Sequence, residues 1–389
     1  MKKGKGRKKI VLFSVVGLLC LVFLLISIGL IMAWTQIGKT AGAQRLNKIE
    51  KSPNYSRGKF QNPIPTDNDF GFAKILKTIR YYSGGQKRIP DEPPPFVTLS
   101  KNSFSIPPGS GLRLTWMGHS TVLIEIEGSV VLFDPVFSNR ASPLSFLGPK
   151  RFHPPPISVS DLPELDAVII SHDHFDHLDY KAIVQLVPKT KAFYVPLGVG
   201  SHLEYWKVPP DKIHSLDWWE EKKIKPSFNL IACPARHFSG RMIGYGDRTL
   251  WASWVLIGDS HRVFFSGDTG IMSQFNKVGK KLGPFDATLI KIGAYGRTWH
   301  DIHVDPEEAL EIHNMVRGQL FIPTHWGTFS LSYHGWTEPV EKLLVASKNK
   351  GIKLAIPKPG QFVEPENPPP LERWWPSIEW ERKQERLKR

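Results

Sequence analysis

Cysteine is scarce in this chain of 389 residues, which has only Cys20 and Cys233. Two cysteines cannot provide the disulfide framework on which small secreted proteins depend. Cys20 lies in an apolar run and Cys233 lies beside a predicted strand, so neither thiol is placed as a nucleophile. The chain is instead long enough for one large globular unit with a substantial core.

Acidic residues are outnumbered, because 36 Asp and Glu face 51 Lys and Arg, for a net charge of +15. Residues 1–51 hold ten basic residues and one acidic residue, and residues 372–389 hold six and four, so only +4 remains for the middle of the chain. This small surplus disfavours a nucleic-acid groove, whereas a basic segment beside a membrane is attracted to anionic lipid headgroups. We therefore expect a membrane bilayer as a partner and no nucleic acid.

A long hydrophobic run covers residues 10–34 and is long enough to cross the hydrocarbon core as a helix. Its length favours a retained transmembrane anchor, although residues 41–43 (Ala-Gly-Ala) resemble a signal cleavage site and leave that alternative open. Residues 1–9 contain six lysines and arginines, which predicts a cytoplasmic N-terminus. The catalytic domain is then expected beyond the membrane, in the periplasm if the source is a bacterium.

Composition divides the rest of the chain into three parts. Residues 35–100 are rich in Pro and Gly and predict a stalk followed by an extended arm over the domain. Residues 101–365 predict the catalytic domain. Residues 366–389 form an aromatic and charged tail that either packs on the domain or lies on lipid headgroups. Trp251 and Trp254 likewise belong either to the core, which we favour, or to an acyl-chain groove.

The most informative stretch is residues 171–177, Ser-His-Asp-His-Phe-Asp-His, between an apolar run at 167–170 and a predicted helix at 178–187. Imidazole and carboxylate suit borderline divalent cations, with zinc first among them. The spacing of His172, His174, Asp176 and His177 allows two pairs to point to two neighbouring ions. Chance clustering of histidines on a solvated loop is the alternative, and it explains this density poorly.

Three further apolar runs precede a residue that can bind a metal. Residues 228–232 lead to His237, residues 262–265 lead to Asp268, and residues 319–322 lead to His325. In α/β architectures the C-terminal edges of strands converge on one crevice, so ligands that are distant in sequence can meet there. The sequence therefore predicts an α/β fold with a metal site at one edge.

The order His-x-His-x-Asp-His, a lone His, Gly-Asp-Thr-Gly and a terminal His resembles the metallo-β-lactamase superfamily. The resemblance implies an αββα sandwich, here preceded by one N-terminal transmembrane helix. Longer motifs between about residues 58 and 359 are similar to those of the N-acylphosphatidylethanolamine-hydrolysing phospholipase D family. They are residues 116–121 (Trp-Met-Gly-His-Ser-Thr), 133–135 (Phe-Asp-Pro), 148–152 (Gly-Pro-Lys-Arg-Phe), 217–220 (Asp-Trp-Trp-Glu), 293–295 (Gly-Ala-Tyr), 303–309 (His-Val-Asp-Pro-Glu-Glu-Ala) and 325–329 (His-Trp-Gly-Thr-Phe).

The resemblance implies two zinc ions per chain. It assigns His172, His174 and His237 to one ion, Asp176, His177 and His325 to the other, and Asp268 to both. The implied reaction converts N-acylphosphatidylethanolamine-type phospholipids to phosphatidic acid and N-acylethanolamine, by attack of a metal-bridging hydroxide on phosphorus. Asp176, Asp268 and His303 are the catalytic candidates, and the family implies a homodimer.

Three rival functions remain at this point. A lactonase or a sugar-phosphate hydrolase of the same fold would share every metal ligand. A nuclease would need a basic groove, which the charge distribution disfavours. A zinc-dependent membrane scaffold would not need the bridging ligand.

Two residues are candidates for orienting the metal ligands, because metal-bound histidines usually donate their other ring nitrogen to a nearby acceptor. His119 lies between two strand-like segments and either orients a ligand or fills the core. Asp134 follows the apolar run 130–133. It either accepts a hydrogen bond from a metal-bound histidine or forms the turn before Pro135, and both interpretations stay open.

Three residues are candidates for contact with the substrate. His303 precedes a predicted helix in which Asp305 and Glu308 form a capping box, and a helix N-terminus with an adjacent imidazole suits a phosphate oxygen. Tyr295 and Arg297 follow in the same region, although an exposed arginine is often only solvated.

Overall fold

The computed structural model describes residues 3–68, 71–82, 87–225, 228–242 and 244–377. Within these residues, the helices are α1 (Lys3–Ile37), α2 (Ala43–Glu50), α3 (Phe72–Tyr82), α4 (Tyr180–Leu186), α5 (Gly200–Tyr205), α6 (Gln274–Leu282), α7 (Pro306–Val316) and α8 (Glu338–Lys350). Short 3₁₀ turns cover Lys101–Phe104, Val159–Asp161, Val187–Lys189, Pro210–Lys212 and His300–Ile302.

The strands of the same residues form two large sheets and one hairpin. They are β1 (Tyr55–Ser56), β2 (Lys59–Phe60), β3 (Leu112–Trp116), β4 (Val122–Ile126), β5 (Ser129–Phe133), β6 (Leu165–Ile169), β7 (Thr190–Pro196), β8 (Ile213–Leu216), β9 (Glu221–Lys225), β10 (Phe228–Cys233), β11 (Ser253–Ile257), β12 (Arg262–Phe265), β13 (Phe285–Lys291), β14 (Gly318–Thr324), β15 (Lys353–Leu354) and β16 (Phe362–Val363).

Each large sheet has seven strands and combines an antiparallel part with a parallel part. The first has the order β16-β3-β4-β5-β6-β7-β8 and is parallel from β5 to β8. The second has the order β15-β14-β13-β12-β11-β10-β9 and is parallel from β12 to β15. The parallel strands are almost continuously apolar because both faces of each sheet are covered.

The two sheets pack face to face, with helices on their outer surfaces. Phe133 of β5 stacks on Phe265 of β12 with ring centroids 4.6 Å apart, and Trp254 of β11 donates a hydrogen bond to the Ile170 carbonyl at 3.0 Å. On the outer face of the first sheet, Leu132 packs in a second cluster with residues of α4 and α5. On the second sheet, α7 contacts β13, β14, α6 and α8. The predicted α/β sandwich is confirmed.

Apolar runs predicted the strands that lead to the candidate ligands. The runs at 130–133, 167–170, 228–232, 262–265 and 319–322 correspond to β5, β6, β10, β12 and β14. The helix predicted at 178–187 is α4, which begins at Tyr180 because Asp179 caps it. Trp251 and Trp254 are buried in the core between the sheets, so the core interpretation is correct for both.

The segment before the domain lies against it over much of its described length. Arg45 of α2 forms an ion pair with Glu204 at 2.7 Å, and Phe60 is buried in the main core. Further along, the Val97 and Leu99 amides donate to carbonyls of the domain. In the tail, Trp374 and Trp375 pack against Trp326, while residues 378–389 lie outside the described residues.

The predicted anchor lies in α1. Its part Phe13–Ile37 has 25 residues and includes an 18-residue stretch with a mean hydropathy of 3.0, so by length and composition it is sufficient to cross a membrane. Large apolar side chains along it, including Phe13, Phe23 and Ile31, are exposed.

Candidate metal centre

The C-terminal ends of five strands bring polar side chains to one edge of the sandwich. Asp134 follows β5, the turn 171–177 follows β6, His237 follows β10, Asp268 follows β12, and His325 follows β14. Asp134, His237, Asp268 and His325 are buried, and so is the turn except for its middle residues 174–176, which are partly buried. Polar groups are costly to bury without partners, so this concentration at one place indicates a site.

Three histidines form the first group of candidate ligands. His174 Nδ1 lies 2.8 Å from His172 Nε2 and 3.3 Å from His237 Nε2. His237 Nδ1, on the side of the ring away from His174, lies 3.0 Å from the Ile302 carbonyl oxygen. Because a carbonyl oxygen only accepts, Nδ1 carries the hydrogen and donates it. In a neutral imidazole this leaves Nε2 unprotonated and directed at the other two histidines, which is the form that binds a metal.

A second group lies beside the first and shares Asp268 with it. Asp176 Oδ2 is 3.5 Å from His177 Nε2 and 3.4 Å from His325 Nε2. Asp268 Oδ2 is 3.1 Å from His325 Nε2 and 3.4 Å from His177 Nε2, and it also lies 3.8 Å from His237 Nε2 of the first group. One carboxylate oxygen therefore adjoins both groups.

Asp134 accepts hydrogen bonds from both ends of the turn 171–177. It accepts a hydrogen bond from His177 Nδ1 at 2.7 Å, and from the amide and hydroxyl of Ser171 at 2.6 Å each. Asp134 also has a φ of 39°, which is typical of a turn. The geometry therefore agrees both with a hydrogen-bond acceptor for a histidine and with a turn residue before Pro135. Because His177 Nδ1 carries the donated hydrogen, its Nε2 is free to face Asp176 and Asp268.

His119 holds the second group from another side. Its Nε2 donates to Asp176 Oδ2 at 3.0 Å, and its ring centroid lies 4.0 Å from that of His325. The His119 amide donates to Thr328 Oγ1, and its carbonyl accepts the His325 amide at 2.8 Å. Burial, with a contribution from His325, lowers the pKa of His119 to about 3, so the ring is neutral.

The electrostatic state of the cluster suits a cation. Burial holds the pKa values of His172 and His237 well below their usual range, so both imidazoles stay neutral. Burial alone would raise the pKa of Asp268, but His325 and His177 outweigh it and keep this carboxylate ionised. Burial also opposes a charge on His177, yet Asp268, Asp176 and Asp134 raise its pKa well above the usual value. The carboxylates therefore favour positive charge at this position.

Buried polar atoms without hydrogen-bond partners test whether these residues could hold a metal. His177 Nε2, His325 Nε2 and Asp268 Oδ1 are buried without a hydrogen-bond partner, although such atoms nearly always have one. Two groups of side chains each have ligand atoms within 4.8 Å of one another. One group is His172, His174 and His237, and the other is His119, Asp176, His177 and His325. Nitrogen and oxygen donors of this kind suit a divalent cation.

Comparisons with known proteins agree with this arrangement. A family model described as a beta-lactamase superfamily domain matches residues 130–326. An uncharacterised protein of Mycobacterium tuberculosis is 44% identical over 335 residues, which cover 84% of this chain and 88% of that protein. The N-acyl-phosphatidylethanolamine-hydrolyzing phospholipase D 1 of Caenorhabditis elegans is 39% identical over 326 residues, covering 78% of this chain and 91% of the nematode protein.

This chain belongs to the metallo-β-lactamase superfamily and, within it, to the N-acylphosphatidylethanolamine-hydrolysing phospholipase D family. The predicted resemblance is confirmed. Among solved structures, an isothiocyanate hydrolase from Delia radicum gut bacteria shares the fold, with a TM-score of 0.52, 19% identity and coverage of 65% of this chain and 98% of that one. The fold is that of metallo-hydrolases, and the histidine and aspartate clusters suit divalent metal binding.

The remaining predicted residues of this metallo-β-lactamase-fold hydrolase lie at different distances from the cluster. His303 borders it, with Nδ1 at 3.8 Å from Asp268 Oδ2. Tyr295 turns away, because its hydroxyl donates to Glu338 Oε1 at 2.8 Å and its ring stacks on His334. Arg297 is exposed on the surface.

The sequence did not point to two residues that contact the ligands or lie close to them. Asn62, from the segment before the domain, accepts from the His237 amide at 2.9 Å and donates to its carbonyl at 2.7 Å. Lys291 is fully buried, donates to the Gly293 carbonyl at 2.8 Å, and has its pKa lowered by burial to about 8, against the opposing effect of Asp268. Lys291 could have been predicted, because a lysine at the end of an apolar strand is unusual. No pattern in the sequence around Asn62 indicates its contact with His237.

Proposed function

We propose that this chain hydrolyses the phosphodiester bond of N-acylphosphatidylethanolamine-type phospholipids, with two zinc ions, to give phosphatidic acid and N-acylethanolamine. The observation that carries the proposal is the position of Asp268 Oδ2, within 3.8 Å of ligand nitrogens from both groups. The substrate class is supported by the 39% identity with the nematode enzyme over most of both chains.

Seven side chains are assigned to the two ions. One ion would be held by His172, His174 and His237, the other by Asp176, His177 and His325, and Asp268 would contact both. Zinc bound in this way would lower the pKa of a coordinated water to roughly 7 and stabilise negative charge on the phosphodiester. Because two carboxylates face two dications, the site retains positive charge and attracts an anionic substrate.

Other residues of the chain would orient these ligands and the substrate. Asp134 fixes the ring of His177, and His119 fixes the carboxylate of Asp176. His303 lies at the cluster, just before the N-terminus of α7, and we assign it to a phosphate oxygen of the substrate. In the net reaction, a water oxygen bonds to phosphorus, the bond from phosphorus to the ethanolamine oxygen breaks, and that oxygen takes a proton.

The same proposal places the protein in a membrane. Helix α1 would span the bilayer once, with the basic N-terminus in the cytoplasm and the catalytic domain on the other side. Membrane phospholipid is then both the substrate and the surroundings of the enzyme. A homodimer, which the family resemblance implies, stays a prediction.

The decisive experiment offers the zinc-loaded full chain, in detergent, a mixture of membrane lipids, lactones and sugar phosphates. Mass spectrometry should show that N-acylphosphatidylethanolamine disappears while phosphatidic acid and N-acylethanolamine appear in equal amounts. Opening of a lactone or cleavage of a sugar phosphate, with every lipid intact, would instead assign another hydrolase activity. Salt-dependent binding and cleavage of nucleic acid would identify a nuclease.

A further inference from the structure

The C-terminal end of α1 and the residues after it are bound by three buried side chains of the domain. We name residues 35–39 the anchor junction. Trp206 Nε1 donates to the Thr35 carbonyl at 2.6 Å, and His202 Nδ1 accepts from the Lys39 amide at 3.0 Å. Arg241 donates to the Gln36 carbonyl at 2.7 Å and to the Ile37 carbonyl at 3.1 Å. These contacts satisfy carbonyls that a helix leaves without partners at its C-terminus, and they place a positive charge there.

Arg241 binds the metal-ligand turn with the same guanidinium. Its Nη1 donates to the Asp173 carbonyl at 2.5 Å and to the Leu178 carbonyl at 2.9 Å. The guanidinium lies 4.0 Å from the centroid of the Phe175 ring and is almost fully buried. Asp173 and Phe175 alternate with the candidate ligands in the turn. The planar, multidentate arginine therefore joins the anchor junction to the ligand-bearing main chain.

His202 provides a second connection between the same two segments. One ring nitrogen accepts from the anchor junction, so the other, Nε2, carries hydrogen and donates to Asp173 Oδ2 at 3.2 Å. The Asp173 carboxylate also accepts from Thr249 Oγ1 at 2.8 Å and from the Gly240 amide at 2.7 Å. Asp173 is thereby fixed from three sides, although it does not face the ligand cluster.

Gly38 shows that the anchor junction is fitted to the domain. Its φ is +83°, in the left-handed region, and a Cβ atom on it would lie 2.3 Å from His202 Nδ1. His202 is buried and held at both nitrogens, so it has no room to yield. By contrast, a Cβ on Gly42 would meet nothing within 4 Å, and Gly42 has a φ of −78°.

We propose that the anchor junction is a positioning element of the metal centre. Its attachment to Arg241 and His202 holds the turn 171–177 in the conformation that directs the ligands at the cations. The end of the apolar helix is thus part of the site as well as a means of attachment to a membrane. This inference rests on the proposed metal centre but not on the identity of the substrate.

The test compares two glycine substitutions that lie four residues apart, in the full chain purified in detergent and loaded with zinc. Transfer of zinc to a chromogenic chelator gives the affinity, and hydrolysis of bis(p-nitrophenyl) phosphate gives kcat and KM without a lipid. Gly38→Ala should weaken zinc affinity about tenfold, at the lower end of the range for residues that orient metal ligands, and should lower kcat with KM unchanged. Gly42→Ala should match the parent in all three quantities.

Three further variants test the domain side of the contact. Arg241→Gln should weaken zinc affinity by about 10- to 100-fold, and Arg241→Lys should recover part of that loss. Arg248→Gln is the matched control, because Arg248 is exposed on the same loop and lies over the Tyr245 ring. Unchanged zinc affinity in both Gly38→Ala and Arg241→Gln would overturn the proposal. A parent chain that retains no divalent cation would refute the metal centre itself, and the inference with it.

Discussion

Three residues of the candidate site adopt backbone conformations that residues other than glycine rarely take. The φ angles of His119, Asp134 and His325 are 53°, 39° and 62°. Each such conformation costs about 1–3 kcal/mol and persists only where the surroundings fix it. Here the His325 amide donates to the His119 carbonyl, and the Asp134 amide donates to the Ile169 carbonyl. The strain lies at one candidate ligand, His325, and at two residues that contact candidate ligands, which is consistent with a preorganised site.

Asp268 is the residue on which the proposed dinuclear centre depends most. Asp268→Asn replaces a charged oxygen that adjoins both ligand groups with a neutral amide, so zinc content should fall from two ions toward one per chain. Phosphodiesterase turnover should fall by at least about 100-fold, as expected when charge stabilisation is lost. Metal analysis and steady-state rates measure both effects. Asp259→Asn, an exposed aspartate, serves as the control. A near-normal rate in Asp268→Asn would refute the bridging role.

Asp134 should affect metal affinity without touching a metal. Asp134→Ala removes the acceptor for His177 Nδ1 and for Ser171, so His177 is no longer held in the tautomer that exposes Nε2. Zinc affinity should fall by about 10- to 100-fold, measured by competition with a chelator. Asp286→Ala removes an aspartate that accepts the Arg262 amide at the other end of β12. If both variants lose zinc equally, general destabilisation explains the loss and the orienting role is wrong.

At the scale of elements, sequence patterns predicted the strands that deliver the candidate ligands. β6 is buried throughout, and β12 and β14 are buried on both faces from Val263 and Leu320 onward. Such strands appear in a sequence as short apolar runs followed by the polar residues of the site edge. Local patterns could not predict Asn62 or the anchor junction. The hydrogen bond from the His237 amide to Asn62 spans 175 residues, and the irregular segment around Asn62 has no periodicity to place it.

Helix α7 is an element whose start the sequence predicted in detail. The Asp305 side chain accepts from the Glu308 amide at 3.0 Å, Glu308 accepts from the Asp305 amide, and Pro306 is the first helical residue, which confirms the predicted capping box. Asp305→Ala should lower the free energy of unfolding by about 0.5–2 kcal/mol, measured by urea denaturation. Ser273 occupies the same position before α6 but its side chain makes no capping bond, so Ser273→Ala should have a much smaller effect. Equal losses would contradict the capping argument.

For the whole molecule, the distribution of apolar surface leads to a prediction about extraction from membranes. The mostly apolar 25-residue segment Phe13–Ile37, if it spans the bilayer, is held by the hydrophobic effect, which salt does not screen. The full chain should therefore remain with the membrane pellet in 1 M NaCl and at alkaline pH, and should be released by detergent. Immunoblotting of the fractions measures this. A chain lacking residues 1–34, which keeps the anchor junction, is the control, and release of the full chain by salt alone would show that it binds only through its basic segments.

Removal of the proposed metal should lower the stability of the whole domain, because the candidate ligands follow strands of both sheets. Without a cation, His177 Nε2, His325 Nε2 and Asp268 Oδ1 are buried with no partner, and each such atom is destabilising. Zinc at 100 times its dissociation constant should stabilise the folded chain by about 2.7 kcal/mol through binding alone. Calorimetry of chelator-treated protein, before and after addition of zinc or magnesium, measures this difference. Zinc should restore both the unfolding temperature and activity, whereas magnesium should not, because it prefers oxygen ligands in an octahedral arrangement. Equal recovery with magnesium would mean that the histidines are not the principal ligands.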